Sequence, residues 1–166
     1  MSLDNLSVNG LYIILFIRDH PPAPNDFHWG LYFHQNPSTG GRKYHIKQQG
    51  GGWIADHGPT AGVFKSFLLV GLFKIANVPE GFENYLDQTL RTHDNQLNTL
   101  SGVTCRIWLL RVLALLQKPA NGQQILKCSN LEALEAEAKD WGNSHAITAM
   151  NNVQPRPVGA SALCGL

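Results

Sequence analysis

An α+β fold, an antiparallel sheet packed on a central buried helix, is the architecture the sequence predicts, and three observations predict it. Short runs rich in β-branched and aromatic residues occupy the first half of the chain, beginning with Gly10–Arg18 and His28–His34. Stretches with helical spacing occupy the second half. One of these, Ser101–Gln117, is apolar from Ile107 to Leu116 except at Arg111, which implies cover on nearly all sides.

Residues 1–9 read as a short polar leader. Gly10–Arg18 is too continuously apolar to face water on one side, so it is expected to be a central strand. Three prolines in Asp19–Phe27 remove N–H donors and fix φ, which makes that segment a loop. In the second strand, His28–His34, alternation puts His28, Gly30, Tyr32 and His34 on one face and Trp29, Leu31 and Phe33 on the other. Turn chemistry at Asn36–Gly41 returns the chain into a third strand, Arg42–Lys47, with His45 on the opposite face from Tyr44 and Ile46.

Gly50–Gly52 breaks the chain before a short strand at Trp53–Ala55, and Asp56–Gly62 is expected to be a loop. Val63–Ile75 reads as one or two strands bent near Gly71, and Pro79–Arg91 as a helix. Thr92–Leu100 is a polar connection to the long apolar helix, which Ser101 or Thr104 is placed to cap. Asn130 caps a further amphipathic helix, Leu131–Trp141. The reading is one domain over residues 1–153, with a flexible tail rich in Pro, Gly, Ser and Ala over 154–166.

Composition narrows the function. At 166 residues, 43% hydrophobic and 15% charged, the chain suits one globular core. A formal net charge of +1 gives no electrostatic footprint for nucleic acid. The run Leu11–Ile17 falls far short of the roughly 20 residues a membrane span needs, and no signal peptide is evident, so a soluble, cytoplasmic protein is expected. Three widely spaced cysteines, Cys105, Cys128 and Cys164, suit neither a disulfide framework nor a four-ligand zinc site, and reduced thiols fit best. Neither a metal nor a cofactor is needed, and a metal set of His28, His34 and His45 has no ligand-spacing motif behind it.

Cys105 opens the long apolar helix, where the partial positive charge of a helix N-terminus favours thiolate over thiol. A nucleophilic thiol requires a base to take its proton and a third group to orient that base. His28 is the candidate base, His45 the orienting partner and Cys105 the nucleophile, with His34 and His57 in reserve. Trp29, Tyr32, Tyr44 and Trp53 are candidates to line a substrate cleft, the expected partner being a small apolar molecule.

These residues carry a resemblance. His28-Trp29-Gly30-Leu31-Tyr32 resembles the His-Trp-Ala-Ile-Tyr strand of the permuted papain-like thiol enzymes, the branch containing lecithin:retinol acyltransferase and the H-Ras-like suppressor acyltransferases. Tyr44-His45-Ile46 is similar to that branch's second histidine, and Thr104-Cys105 to its cysteine at a helix start. The pattern His-Trp, Tyr-His, then Cys105-Arg106-Ile107-Trp108 is also similar to a group of fungal proteins. The resemblance implies a permuted papain-like fold and covalent acyl chemistry: a hydrolase or an acyl- or amide-transfer enzyme with a Cys-His-His site. Two readings compete with it. One is a cofactor-free cyclase or pericyclase of fungal small-molecule biosynthesis that orients its substrate without a covalent intermediate. The other is a non-catalytic binding protein.

Overall fold

The computed structural model describes residues 3–166 and contains eight strands and three α-helices among them. The strands are Gly10–Ile17 (β1), Phe27–Asn36 (β2), Gly40–Tyr44 (β3), Ile46–Gln49 (β4), Gly52–Ala55 (β5), Gly58–Thr60 (β6), Leu69–Asn77 (β7) and Val158–Ala160 (β8). The helices are Glu83–Leu90 (α1), Cys105–Leu116 (α2) and Leu131–Met150 (α3). Six strands form one sheet in the order β6-β3-β2-β1-β7-β8, while β4 and β5 pair as a separate hairpin. This is an α+β fold, antiparallel except for the parallel β7–β8 pair. Of the leader expected at residues 1–9, Met1 and Ser2 lie outside the described residues, and Leu3–Asn5 form a 3-10 turn.

Both faces of the large sheet are covered, which is why β1 is apolar throughout and buried at all eight positions. On one face Trp29, Leu31 and Phe33 pack with α2 side chains such as Trp108, Leu109 and Val112 in the main core. On the other, Tyr12, Ile14, Phe16 and Tyr32 form a smaller core with Leu6, Val63 and Leu69. The period-two split expected for the second strand therefore holds, with hydrophobic cover on each side. Half of α2 is buried, at Cys105, Trp108, Leu109, Val112, Leu113 and Leu116, while Ile107, Leu110 and Leu115 are only partly covered and Arg111 is exposed, so the cover is less complete than the apolar run implies.

Several elements differ from the sequence reading, each for a physical reason. The third strand stops at Tyr44 instead of running to Lys47: His45 leaves the large sheet, and the chain continues in the β4–β5 hairpin. Part of the expected loop Asp56–Gly62 forms β6, an edge strand pairing with β3. The last helix runs past Trp141 to Met150, through a glycine that costs helix propensity in isolation. Packing requires that glycine, because a Cβ on Gly142 would lie 2.7 Å from Leu15 Cδ1 and 2.9 Å from Phe27 Cζ.

Residues 154–166, expected to be a flexible tail, carry a strand and a buried arginine that pack against the rest of the fold. β8 adds to the sheet edge, and Ser161 Oγ donates a hydrogen bond to Glu137 of α3. Arg156 is fully buried and donates to the carbonyls of Leu69, Val153, Phe67 and Ala149 and to Asn152 Oδ1. Composition missed this anchor because a single residue makes all five bonds, and two of its acceptors lie almost ninety positions upstream.

Candidate thiol-imidazole site

Thr104 caps α2, accepting a 3.2 Å hydrogen bond from the Ile107 N–H, and so fixes Cys105 as the first helical residue. Gly102, at φ +66°, supplies the left-handed turn that brings the chain there. Cys105 is 7% exposed and lines a cavity of about 340 Å³ together with Arg18, His28, Lys47, Gln48, Trp53 and Thr104. Candidate nucleophile and candidate base thus share one cleft.

His28 reaches this cleft from β2, and its Nε2 lies 2.9 Å from His45 Nδ1. The second ring is in turn held by Asp56, with 2.9 Å between His45 Nε2 and Asp56 Oδ2. Gly30 makes the crossing possible: a Cβ there would lie 3.3 Å from His45 Cβ and 3.2 Å from Ile14 Cγ1. Beyond the end of β3, His45 is fixed by its backbone, whose N–H donates to His57 Nδ1 and whose carbonyl accepts from the Asp56 N–H.

The hydrogen bonds dictate where the protons sit. Asp56 is held below the usual carboxylate range: burial pushes it up, but His45 and Lys47 outweigh burial. An ionised Asp56 accepts from His45 Nε2–H, which leaves His45 Nδ1 as an acceptor in the neutral ring. His28 Nε2–H donates to that nitrogen, so the bare lone pair of His28 is on Nδ1. Burial and the neighbouring Lys43 and Arg18 lower His28 to about 4. His45 is likewise lowered to about 4, by burial first, then by Lys43 and His28, against the opposing pull of Asp56. Both rings are neutral at pH 7, as a general base must be.

His57, a reserve candidate from sequence, acts as a strut. Its Nε2 lies 3.0 Å from Asp94 Oδ1, its Nδ1 accepts from His45, and its ring stacks on Trp108, one turn beyond Cys105 in α2. One buried ring therefore sets the helix carrying the thiol against the backbone carrying the second imidazole. His34 lies elsewhere: six residues beyond His28, about 20 Å along an extended strand, it is hydrogen-bonded to Tyr32. Among the described residues no three of His, Cys, Asp and Glu are grouped to hold a metal ion.

Of the four aromatics expected to line the cleft, only Trp53 does so. Trp29 and Tyr44 are buried in the main core and Tyr32 in the smaller one, because both faces of β2 and the end of β3 are covered. The cleft accordingly has more charge than an apolar substrate would need. Asp56, Gln48, Arg18, Lys43 and Lys47 were missed by residue-type reasoning. Asp56 was within reach: a two-residue Gly50-Gly51 turn, with φ of +64° and +83°, sets Gln49 opposite Gly52 and Ile46 opposite Ala55, so His45 faces Asp56.

Among the described residues no helix is long and apolar enough to cross a membrane. Comparison of the chain with protein-family models, with curated proteins and with solved structures returned no match, so the reading of this site rests on its own geometry.

Proposed function

We propose that this protein is a cysteine-dependent hydrolase or acyl- or amide-transfer enzyme, with Cys105 as nucleophile, His28 as general base and His45 as its orienting partner. The observation that carries the proposal is the line of groups leading from Cys105 at the head of α2, through the cleft it shares with His28, to His45 and Asp56. The order in the chain, two histidines before a helix-start cysteine, agrees with the resemblance to permuted papain-like thiol enzymes.

In this mechanism His28 Nδ1 takes the Cys105 proton as Sγ attacks a carbonyl carbon. The new C–S bond forms, the bond to the leaving group breaks, and the leaving atom receives the proton from His28. Water, or another acceptor, then attacks the thioester with His28 again as base: a C–O or C–N bond forms, C–S breaks, and the thiol is restored. Asp56 and His45 keep the imidazole in the tautomer that accepts at Nδ1. The Cys105 backbone N–H at the helix start and the Gln48 amide in the cleft are the available donors for the developing oxyanion.

Acyl-enzyme trapping tests the proposal. Brief exposure to 4-nitrophenyl acetate should add one acetyl group to the protein, on the peptide containing Cys105, and Cys105→Ser or His28→Gln should abolish the rapid phase. Acetylation spread over surface lysines, at a rate unchanged in both variants, refutes it.

A further inference from the structure

His28 borders two cavities. Besides the cleft shared with Cys105, it lines a second one of about 390 Å³ with Phe16, Arg18, Lys43, Ser66 and Leu68. Arg18 also lines both, so the two spaces adjoin along the same pair of side chains. No acidic residue lines the second cavity, although two cations do.

The charges there are unevenly matched. Arg18 pairs with Asp26 at 3.1 Å, and Lys47, in the first cleft, pairs with Asp56 at 3.5 Å. Lys43 is half-buried, yet among the described residues it has no carboxylate within ion-pair distance, and its ammonium rests 4.8 Å from the centre of the Phe16 ring. Burial, with a smaller push from Lys47, holds Lys43 below its ordinary value against the opposing pull of Asp56, the direction expected of an ammonium that loses more from desolvation than it gains from an anion outside ion-pair distance. An anion in this cavity would supply a partner at ion-pair distance.

We propose that the cavity beside Lys43 is an anion subsite that receives a carboxylate or phosphate on the leaving group of the acyl substrate. The inference rests on the thiol reading above for the direction of transfer. In that reading the leaving atom takes its proton from His28, so the leaving group lies against His28 and extends past it and Arg18, which border both cavities, toward Lys43 in the second. An acceptor that reverses the first step enters by the same route and bears the same charge.

A matched pair of esters tests this in the full-length protein: 4-acetoxybenzoate, whose leaving group is anionic, and its neutral methyl ester, each normalised to its imidazole-catalysed rate. The wild type should favour the anionic ester in kcat/KM on the order of tenfold. Lys43→Met, which keeps an apolar stem over Phe16, should bring the ratio close to one, and Lys43→Glu should invert it. Running 4-acetoxyphenyl phosphate alongside separates the two anions by which shows the larger Lys43-dependent preference. Equal normalised rates in the wild type, or a preference that survives in Lys43→Met, overturns the subsite and leaves the thiol chemistry standing. Binding of 4-hydroxybenzoate to Cys105→Ser, followed by amide chemical shifts, supplies the arm independent of turnover. Shifts at Lys43 and Ser66 that vanish in Cys105→Ser/Lys43→Met support the subsite even if neither ester is turned over; their absence overturns it.

Discussion

At the scale of single residues, the site depends on which nitrogen of His28 is free. Asp56→Asn keeps the size of the side chain but offers His45 an amide in place of an anion, which no longer fixes the proton on Nε2. The expected result is a fall in kcat on the order of 10²–10⁴, by analogy with loss of the orienting carboxylate in other triads, with little change in thermal stability because Asp56 is half-exposed. In the proposed mechanism the acid limb of kcat/KM belongs to His28. Its value is lowered to about 4, so the ring is neutral at pH 7, and the expected activity declines only as pH falls toward that value. Lys43 and Arg18 contribute to the lowering, so removing the cation in Lys43→Met moves the acid limb to higher pH. A limb that stays in place in that variant assigns the titration to another group.

At the scale of elements, the hairpin and the strand beside it do the positioning. Gly30 gives His45 its path to His28, and Gly30→Val should displace the second ring, costing about 1–3 kcal/mol of stability through overpacking and most of the activity. Solved structures of this variant and the wild type check it: the account requires the His28–His45 contact to lengthen. Much of this layer was legible in sequence. β1 and the two faces of β2 follow from periods and turn residues, and Thr104 and Asn130 cap their helices through ordinary side-chain chemistry. His45 was readable as a partner for His28, but the exit of the chain from the sheet at His45 was not, since it depends on bonds to His57 and Asp56. Nor could alternation tell which aromatics face a cleft: with cover on both sides of β2, Trp29 and Tyr32 are core residues on opposite faces.

For the molecule as a whole, the last residues hold the ends of the fold together. Among the described residues Arg156 has no carboxylate partner, and its charge is met by the Ala149 carbonyl in the last turn of α3, the Val153 carbonyl just past it, the Leu69 carbonyl at the start of β7 and the Phe67 carbonyl just before it. Arg156→Met should destabilise the protein by about 3–5 kcal/mol, because several buried acceptors lose their donor at once. Urea unfolding measures this, and a loss under about 1 kcal/mol would mean that the segment contributes little. Global stability also senses pH through two imidazoles, the half-buried His28 and the buried His45. Each is lowered in the fold from 6.5 to about 4, so the unfolded chain binds more protons between those values. Stability is therefore full above pH 6.5 and falls as pH drops toward 4, a trend that His45→Gln should weaken.

Cys105, Cys128 and Cys164 are all buried, but Cys105 lines a cleft and burial holds the Cys164 thiol above its ordinary value, so the effect of removing His28 decides the test together with the order of reaction. Limited iodoacetamide treatment of the folded protein, with peptide mapping of each thiol, puts the meeting of Cys105 and His28 to its most direct test. The account predicts that Cys105 is carboxamidomethylated well ahead of the other two and that His28→Gln removes its lead. A Cys105 that reacts no faster than Cys128 or Cys164, or one indifferent to the loss of His28, would contradict it.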